Sequence, residues 1–507
     1  MDVFVSKALK TMIAIGFGLV IAFSYVFADK TVCPTSVPNY IIMLVSAVLV
    51  LVLAIVCGGR LELDIDRRLN CVVLFFILFG LQAFLCLNIS FRTSWDPQAL
   101  QYSAYFAAIQ DRDGMAEMAS YLSIYPNNLL LVWIYSLFFY WNEVVLHITG
   151  DTLNLIQFMQ CALSAFASVL TYKCAKMLLK NERLARIALL LYILITGITG
   201  WLVIPYSDST GLVFPILLLY LILKYQSSEK SVLKTIIAFV IGFLTYLSYQ
   251  IKPELVIVVI AFLIVWLIGK PNISDIIKTI VAFLLGAILS AVLITYAIGT
   301  MGYELDAEAE LGWQHFIMQG VNIDSNGGNS DSDLELSKSF PTKAKRNSMN
   351  LQITKERIDE LGFSGLVRLW GIKIYRFFSS GTFGWGGIGK AFYHETYEGR
   401  LGFISNVLKK IFYENEAFDD GISFYPIYAL IKQIMWNMVI VLSLFSAFSK
   451  TNFEEDQKII ILTAIGCLVF FALLESHPRY ALVQSPILFI LAVMGYRNLV
   501  RIVRRTR

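Results

Sequence analysis

Charge is scarce in this chain. Asp, Glu, Lys and Arg make up 15% of 507 residues, against 57% hydrophobic and 14% aromatic. That scarcity excludes an ordinary soluble domain, which needs a polar skin. A formal net charge of +4 over this length gives no reason to expect a nucleic-acid partner. The 7 cysteines form no CxxC and lie almost all within or beside apolar runs, so free buried thiols are expected, with no disulfide framework and no metal site. Histidine is rarer still at 4, and His315 and His477 have no ligand-spaced partner. There is no glycine-rich phosphate loop, no dinucleotide fingerprint and no internal repeat.

What the chain does have is a succession of long apolar runs, which predicts an all-α polytopic membrane protein. Spans are expected near 10–28, 39–57, 71–91, 153–172, 186–204, 209–225, 232–250, 253–269, 278–299, 427–448, 458–475 and 480–497. Each approaches the ~20 apolar residues that a bilayer core requires. The first follows Lys7 and Lys10 without a small-residue cleavage site and reads as an anchor. One further apolar helix, Tyr125 to Trp141, decides the topology. If it crossed, the basic stretch "YKCAKMLLKNERLAR" would fall outside and every later short loop would break the positive-inside rule. If it lies along the outer face or re-enters, Arg60, Arg67, Arg68, the 172–186 stretch, Lys224, Lys230, Lys270, Lys278, Lys450, Lys458 and the tail "YRNLVRIVRRTR" all become cytoplasmic. The second arrangement is expected, with both termini cytoplasmic in a cell membrane. The cytoplasmic loops are then all short, which leaves no room for a nucleotide-sugar domain.

The polar residues then gather in five outer segments: 92–152 with Asp96, Tyr125 and Asn127; "VIPYSDST" with Asp208; "YQIKPEL" with Lys252 and Glu254; the region 300–426; and "ESHPRYALVQSP" with Glu475, His477, Arg479 and Tyr480. Charged groups at that depth are expensive unless they share a cavity. A carboxylate beside cations at the mouth of a lipid-facing bundle fits glycosyl transfer from a lipid-linked phosphosugar. The phosphate leaving group needs no general acid but gains from cations such as Lys252 and Arg479. The acceptor hydroxyl needs a base, which Asp96 supplies. One base with a phosphate leaving group implies single displacement with inversion.

These residues also carry a resemblance. An Asp beyond an early span, a proline-led apolar helix, an Asp in a later outer turn, a Lys at a helix break and a late "RY…P" helix together resemble the GT-C integral membrane glycosyltransferases. The nearest comparisons are the protein O-mannosyltransferase and lipid A aminoarabinose transferase branches. The pieces "WQHFIMQGVN", "SNGGNSDSD" and "RFFSSGTFGWGG" are similar to Gram-positive members that decorate cell-wall polymers. The resemblance starts near Cys71, leaving residues 1–70 as two additional spans. It implies a GT-C-like core over 71–299 with the first outer loop at 92–152, an extracytoplasmic loop and helical region over 300–426, and a C-terminal part over 427–507 with a basic cytoplasmic tail. With the spans read from the apolar runs, the bundle is expected to have about 12 transmembrane helices in all. The resemblance also implies catalytic roles for Asp96 and Asp208, and substrate contacts at Lys252, Arg479 and Tyr480. Tyr125, Asn127, Glu475, His477 and His315 complete the candidate substrate-binding set. The implied partners are a polyprenyl-phosphate sugar donor, a glycan, lipid or protein acceptor, and membrane lipids. Relatives often carry Asp-Glu where this chain has Asp96-Pro97, so no metal is assigned and a divalent ion at that loop stays open.

Other readings of the same residues compete. Asp96 before Pro97 fits a helix cap. Lys252 and Arg479 fit interfacial anchors. Residues 304–345 read as a solvated loop or flap, and 351–369 as a helix lying on the bundle. The aromatics over 375–397 read as packing. A transporter or flippase of lipid-linked saccharides is the alternative function; it would place paired broken helices near the midplane and show inverted repeats.

Overall fold

Long helices with apolar surfaces make up almost the whole architecture. The structure, a computed structural model, describes residues 2–26, 37–61, 69–148, 150, 152–386, 393–396, 401–414 and 421–505. Cys33, Arg67, Arg68, Phe392 and Tyr397 lie outside the described residues. In chain order the helices are α1 (Asp2–Val26), α2 (Asn39–Leu61), α3 (Cys71–Ile89), α4 (Trp95–Ile109), α5 (Arg112–Ile124), α6 (Leu129–Phe139), α7 (Thr152–Leu179) and α8 (Glu182–Leu191). Next come α9 (Ser207–Gly211), α10 (Val213–Ser227), α11 (Ser231–Ile251), α12 (Ile257–Ile268), α13 (Ile273–Gly299), α14 (Trp313–Gly320), α15 (Asp331–Lys338) and α16 (Lys343–Phe378). The chain closes with α17 (Phe403–Phe412), α18 (Tyr425–Phe445), α19 (Glu455–Leu473) and α20 (Ala481–Arg505). Strands β1 (Phe91–Thr93) and β2 (Tyr393–Thr396) pair antiparallel.

Among the described residues, 11 helices are long and apolar enough to cross a membrane, and Pro253–Ile268 is a shorter apolar helix. Most of the expected spans appear among them, but 186–204 does not. Its helix turns into a π-type turn at Tyr192–Gly197, and the chain then unwinds before α9. Gly197, Gly200 and Pro205 lie in this stretch, and each weakens a helix. The apolar helix expected over Tyr125 to Trp141, along the outer face or re-entrant, falls within Pro126–Val145 in the structure, which is long enough to cross. Its two ends, however, meet the same end of the bundle. Asn128 near its start donates to Tyr121 beside Asp96, and Asn142 near its end donates to Thr152 at the start of α7.

Pairs along the bundle fix its direction. Gln82 to Ser164, Cys86 to Cys161 and Ser90 to Gln157 set α3 antiparallel to α7, so the outlet of α3 and the start of α7 share one end. Lys180 with Glu454, and Lys10 on the Ser449 and Thr451 carbonyls, lie at the other. Where helices touch closely the residues are small. A side chain at Gly242 or Gly286 would collide with the Phe283 or Phe239 carbonyl, so α11 and α13 meet backbone to backbone.

The region expected to be a flap is folded. Residues 304–345 contain α14 and α15, and the buried Asp333 is gripped by Arg357 at 2.6 and 2.9 Å and by Asn322 at 2.9 Å. The helix expected over 351–369 extends to 343–378 and is interrupted at Gly362, where φ is +59°.

Candidate functional site

Helix breaks build the site. Tyr125, Lys252 and His477 each precede a proline that opens a 3-10 turn. A proline disfavours helical backbone in the residue before it, and Lys252 (φ −164°, ψ 125°) and His477 (φ −135°, ψ 150°) are extended accordingly. Each side chain is thereby turned off its helix axis at the same end of the bundle.

The unwound stretch from Ile198 to Tyr206 supplies the other half. Within a bundle its carbonyls need internal donors. Lys432 reaches the Ile195 and Ile198 oxygens at 2.8 and 2.6 Å, and Gln82 the Gly197 oxygen at 2.9 Å. Gln157 and Gln160 bond Val203 and Ile204 at 2.8 and 3.2 Å. Held in this way, the stretch delivers Tyr206 and Asp208 to the site.

The buried Asp208 is the centre. Lys252 Nζ lies 2.6 Å from its Oδ1 and 2.8 Å from Glu254, and stands 3.8 Å over the Tyr480 ring. Arg479 Nε approaches Asp208 Oδ2 at 3.7 Å, and its guanidinium lies 5.5 Å from the ring centroids of both Tyr206 and Tyr480. Tyr206 then links the two acidic positions, donating to Asp96 Oδ2 at 2.9 Å. Asp96 sits inside the first turn of α4, which begins at Trp95, and its carboxylate is engaged by a phenol from another element. Tyr121 faces it as well. Burial raises the Tyr121 and Tyr206 phenols above their ordinary range, and the neighbouring Asp96 charge adds to the shift, so both stay protonated donors.

Glu475 accepts from His477 Nε2 at 2.8 Å and from Tyr480 at 3.1 Å. Burial opposes its ionisation, but the His477 bond and the Arg479 charge outweigh that and hold it below the usual carboxylate range. Burial pushes the His477 imidazole down. The outer region fastens onto this loop. Ser476 bonds the Gly327 and Lys373 carbonyls at 3.1 and 2.8 Å, and Lys373 donates to Gly320 at 2.7 Å. Burial brings Lys373 down to about 7.

Of the residues singled out from sequence, Asp96, Asp208, Lys252, Glu475, His477, Arg479 and Tyr480 converge. The Tyr125 ring packs tilted against Tyr121 at 5.3 Å between centroids, and its phenol is raised by burial and then by Asp96. Asn127 is exposed; the buried neighbour Asn128 makes the contact instead, at 2.9 Å to Tyr121. His315 is buried in the outer layer against Ser337 at 2.8 Å, where burial lowers it to about 4, and no bond joins it to Asp208. Tyr206, Tyr121 and Lys432 were not singled out. Tyr206 follows Pro205, and Lys432 is a lone charge inside an apolar span; both are readable signals.

Among the described residues no group of three or more His, Cys, Asp or Glu is placed to hold a metal ion. The arrangement offers a partly exposed carboxylate at the rim, backed by two cations whose positions are fixed by buried counter-charges.

Among solved structures, ArnT from Cupriavidus metallidurans bound to undecaprenyl phosphate is similar at 11% identity and a TM-score of 0.34, over 85% of this chain and 78% of that one. No curated protein matches the chain. A family model described as conserved hypothetical integral membrane protein matches residues 3–500, and the chain belongs to that family.

Proposed function

We propose that this protein transfers a sugar from a polyprenyl-phosphate-linked donor to an acceptor on the extracytoplasmic side, a wall polymer, lipid or protein, with Asp96 as general base. The observation that carries this reading is the continuous chain from Asp96 through Tyr206 and Arg479 to Asp208 and Lys252, which joins a reachable base to fixed cations. The acceptor hydroxyl gives its proton to Asp96 while its oxygen attacks the anomeric carbon. The bond from that carbon to the phosphate oxygen breaks, and the electron pair leaves on polyprenyl phosphate. Arg479 and Lys252 stabilise the charge that develops there. Asp208 and Glu254 hold those cations in place before substrate arrives. Attack opposite the leaving group inverts the anomeric centre.

The side assignment rests on charge. Lys10, Lys176, Lys180 and the α20 tail lie at the end remote from the site, so the positive-inside rule puts the site outside and both termini in the cytoplasm. The test is transfer of radiolabelled sugar from membrane-embedded undecaprenyl-phosphate sugars to the cell's wall polymer, for wild type and Asp96→Asn at equal expression. Loss of transfer in a folded variant is the expected result; full retention removes Asp96 from the chemistry.

The unwound stretch Ile198–Tyr206 favours a second reading, a transporter of lipid-linked saccharides, since broken helices line many transport sites. Asp96→Asn that keeps transfer but abolishes lipid translocation would select it.

A further inference from the structure

Seven non-glycine residues among those described have positive φ. Most have an ordinary cause. Gln110, Lys180 and Lys270 follow helix ends, where a left-handed residue closes the last turn. His147 ends the π-type turn after α6, and Asn326 belongs to a residue type that tolerates this conformation. Phe383 is bulky, but it is fully buried with its ring 5.2 Å from Trp436, so packing holds it. Trp95 is the remaining case. Its φ is +58° and the residue is 69% exposed, so packing within the chain does not compensate for the strained backbone. Strained backbone of this kind clusters at functional sites. Trp95 directly precedes Asp96.

The surroundings of Trp95 have a defined chemistry. Gln98 and Tyr102, four positions apart, share one face of α4, whose first residue is Trp95. Tyr102 is exposed, and its hydroxyl accepts from Arg92 at 2.8 Å and from Gln98 at 3.5 Å. The face therefore combines a flat indole, a phenol, an amide and a guanidinium. The apolar C–H face of a pyranose suits the indole, and sugar hydroxyls suit the three polar groups.

We propose that Trp95, with Gln98, Tyr102 and Arg92, forms a platform for a carbohydrate acceptor, holding a glycan so that its terminal hydroxyl reaches Asp96. The proposal rests on the glycosyltransferase reading and narrows its acceptor to a glycan arriving from solvent. Asp96 itself turns toward Tyr206, so platform and base occupy adjacent sides of one helical turn.

The test uses the full chain in liposomes, as wild type, Trp95→Gly and Trp95→Phe. Three quantities are measured: the thermal midpoint, the change in intrinsic fluorescence on titrating purified wall polysaccharide without donor, and the acceptor and donor KM in the transfer assay. Glycine accepts positive φ without strain. Trp95→Gly is therefore expected to keep or raise the thermal midpoint while weakening polysaccharide binding and raising acceptor KM by about tenfold, with donor KM unchanged. Trp95→Phe restores most of the binding. A ring that only anchors the chain at the headgroup level gives the opposite pattern: lower stability or membrane retention in Trp95→Gly with unaltered acceptor KM and binding. That outcome overturns the platform, as does wild type that fails to bind polysaccharide. If wild type binds polysaccharide through Trp95 but transfers no sugar, the platform stands and the transferase reading falls.

Discussion

The Tyr206 hydroxyl donates to the Asp96 carboxylate at 2.9 Å, across 110 positions of sequence. One residue stands at the end of an unwound stretch, the other in the first turn of a helix beyond α3. The bond fixes where the carboxylate points. Tyr206→Phe keeps the ring beside Arg479 and removes only the donor. A hydrogen bond to a charged group contributes about 1.5–3 kcal/mol, so transfer is expected to fall by about tenfold or more with donor KM little changed. Steady-state kinetics at equal expression check this, and an unchanged kcat would remove Tyr206 from the site.

Lys252 stands between Asp208 and Glu254. Lys252→Met leaves two buried carboxylates without their shared cation, and breaking a buried pair in this way costs about 3–5 kcal/mol. Adding Asp208→Asn removes one of the stranded charges. The double variant is therefore expected to be more stable than the sum of the two single losses by about 1–3 kcal/mol. Unfolding in detergent provides the measurement. Strict additivity would mean the two groups do not interact.

Lys373 makes a pH-dependent contribution whose sign is fixed. Burial lowers the folded group to about 7; the Glu475 charge works against that shift, and Arg376 works with it. Between about pH 7 and the ordinary lysine value the unfolded chain holds a proton that the folded chain does not. Stability therefore rises as pH rises through that window. Lys373→Met is expected to remove the rise. Thermal midpoints at pH 7 and pH 9.5 decide the matter; a slope that persists in the variant would assign it to another group.

Much of this site was readable, and prolines are the reason. Tyr125, Lys252 and His477 each stand before a proline, and the local rule that bends the backbone there needs no tertiary information. Most spans follow from apolar runs alone. The failures have a different origin. The expected 186–204 span breaks because Lys432, Gln82, Gln157 and Gln160 can satisfy its open carbonyls, and those donors come from three other helices. Asn128 replaces Asn127 because a turn selects which of two identical side chains faces inward. The folded state of 304–345 depends on Arg357 meeting Asp333, a pairing between residues that no periodicity connects.

Lys432 gives the sharpest test of how the site is assembled. It lies seven positions into its apolar span, roughly 10 Å along the helix, and is almost fully buried. An ammonium at such depth is normally tied to function. Its ammonium donates to two carbonyls of the broken helix and lies 5.2 Å from the centroid of the Tyr428 ring. Positive charge at the carbonyl end of a helix is favourable, so Lys432 stabilises the break and with it the exit direction of the stretch that ends at Tyr206 and Asp208. Lys432→Met removes both bonds; the Ile198 carbonyl keeps the Tyr428 hydroxyl as a donor at 3.2 Å, while the buried Ile195 carbonyl loses its side-chain donor, at about 1–3 kcal/mol. The larger consequence is positional. Ser207 is buried beside Asp208, so a Ser207→Cys thiol is expected to resist a membrane-impermeant maleimide when Lys432 is present and to react when Lys432→Met is added, with the label located by mass spectrometry. A thiol that stays protected in both backgrounds would show that the amide donors alone hold the stretch, and that the buried cation serves another purpose.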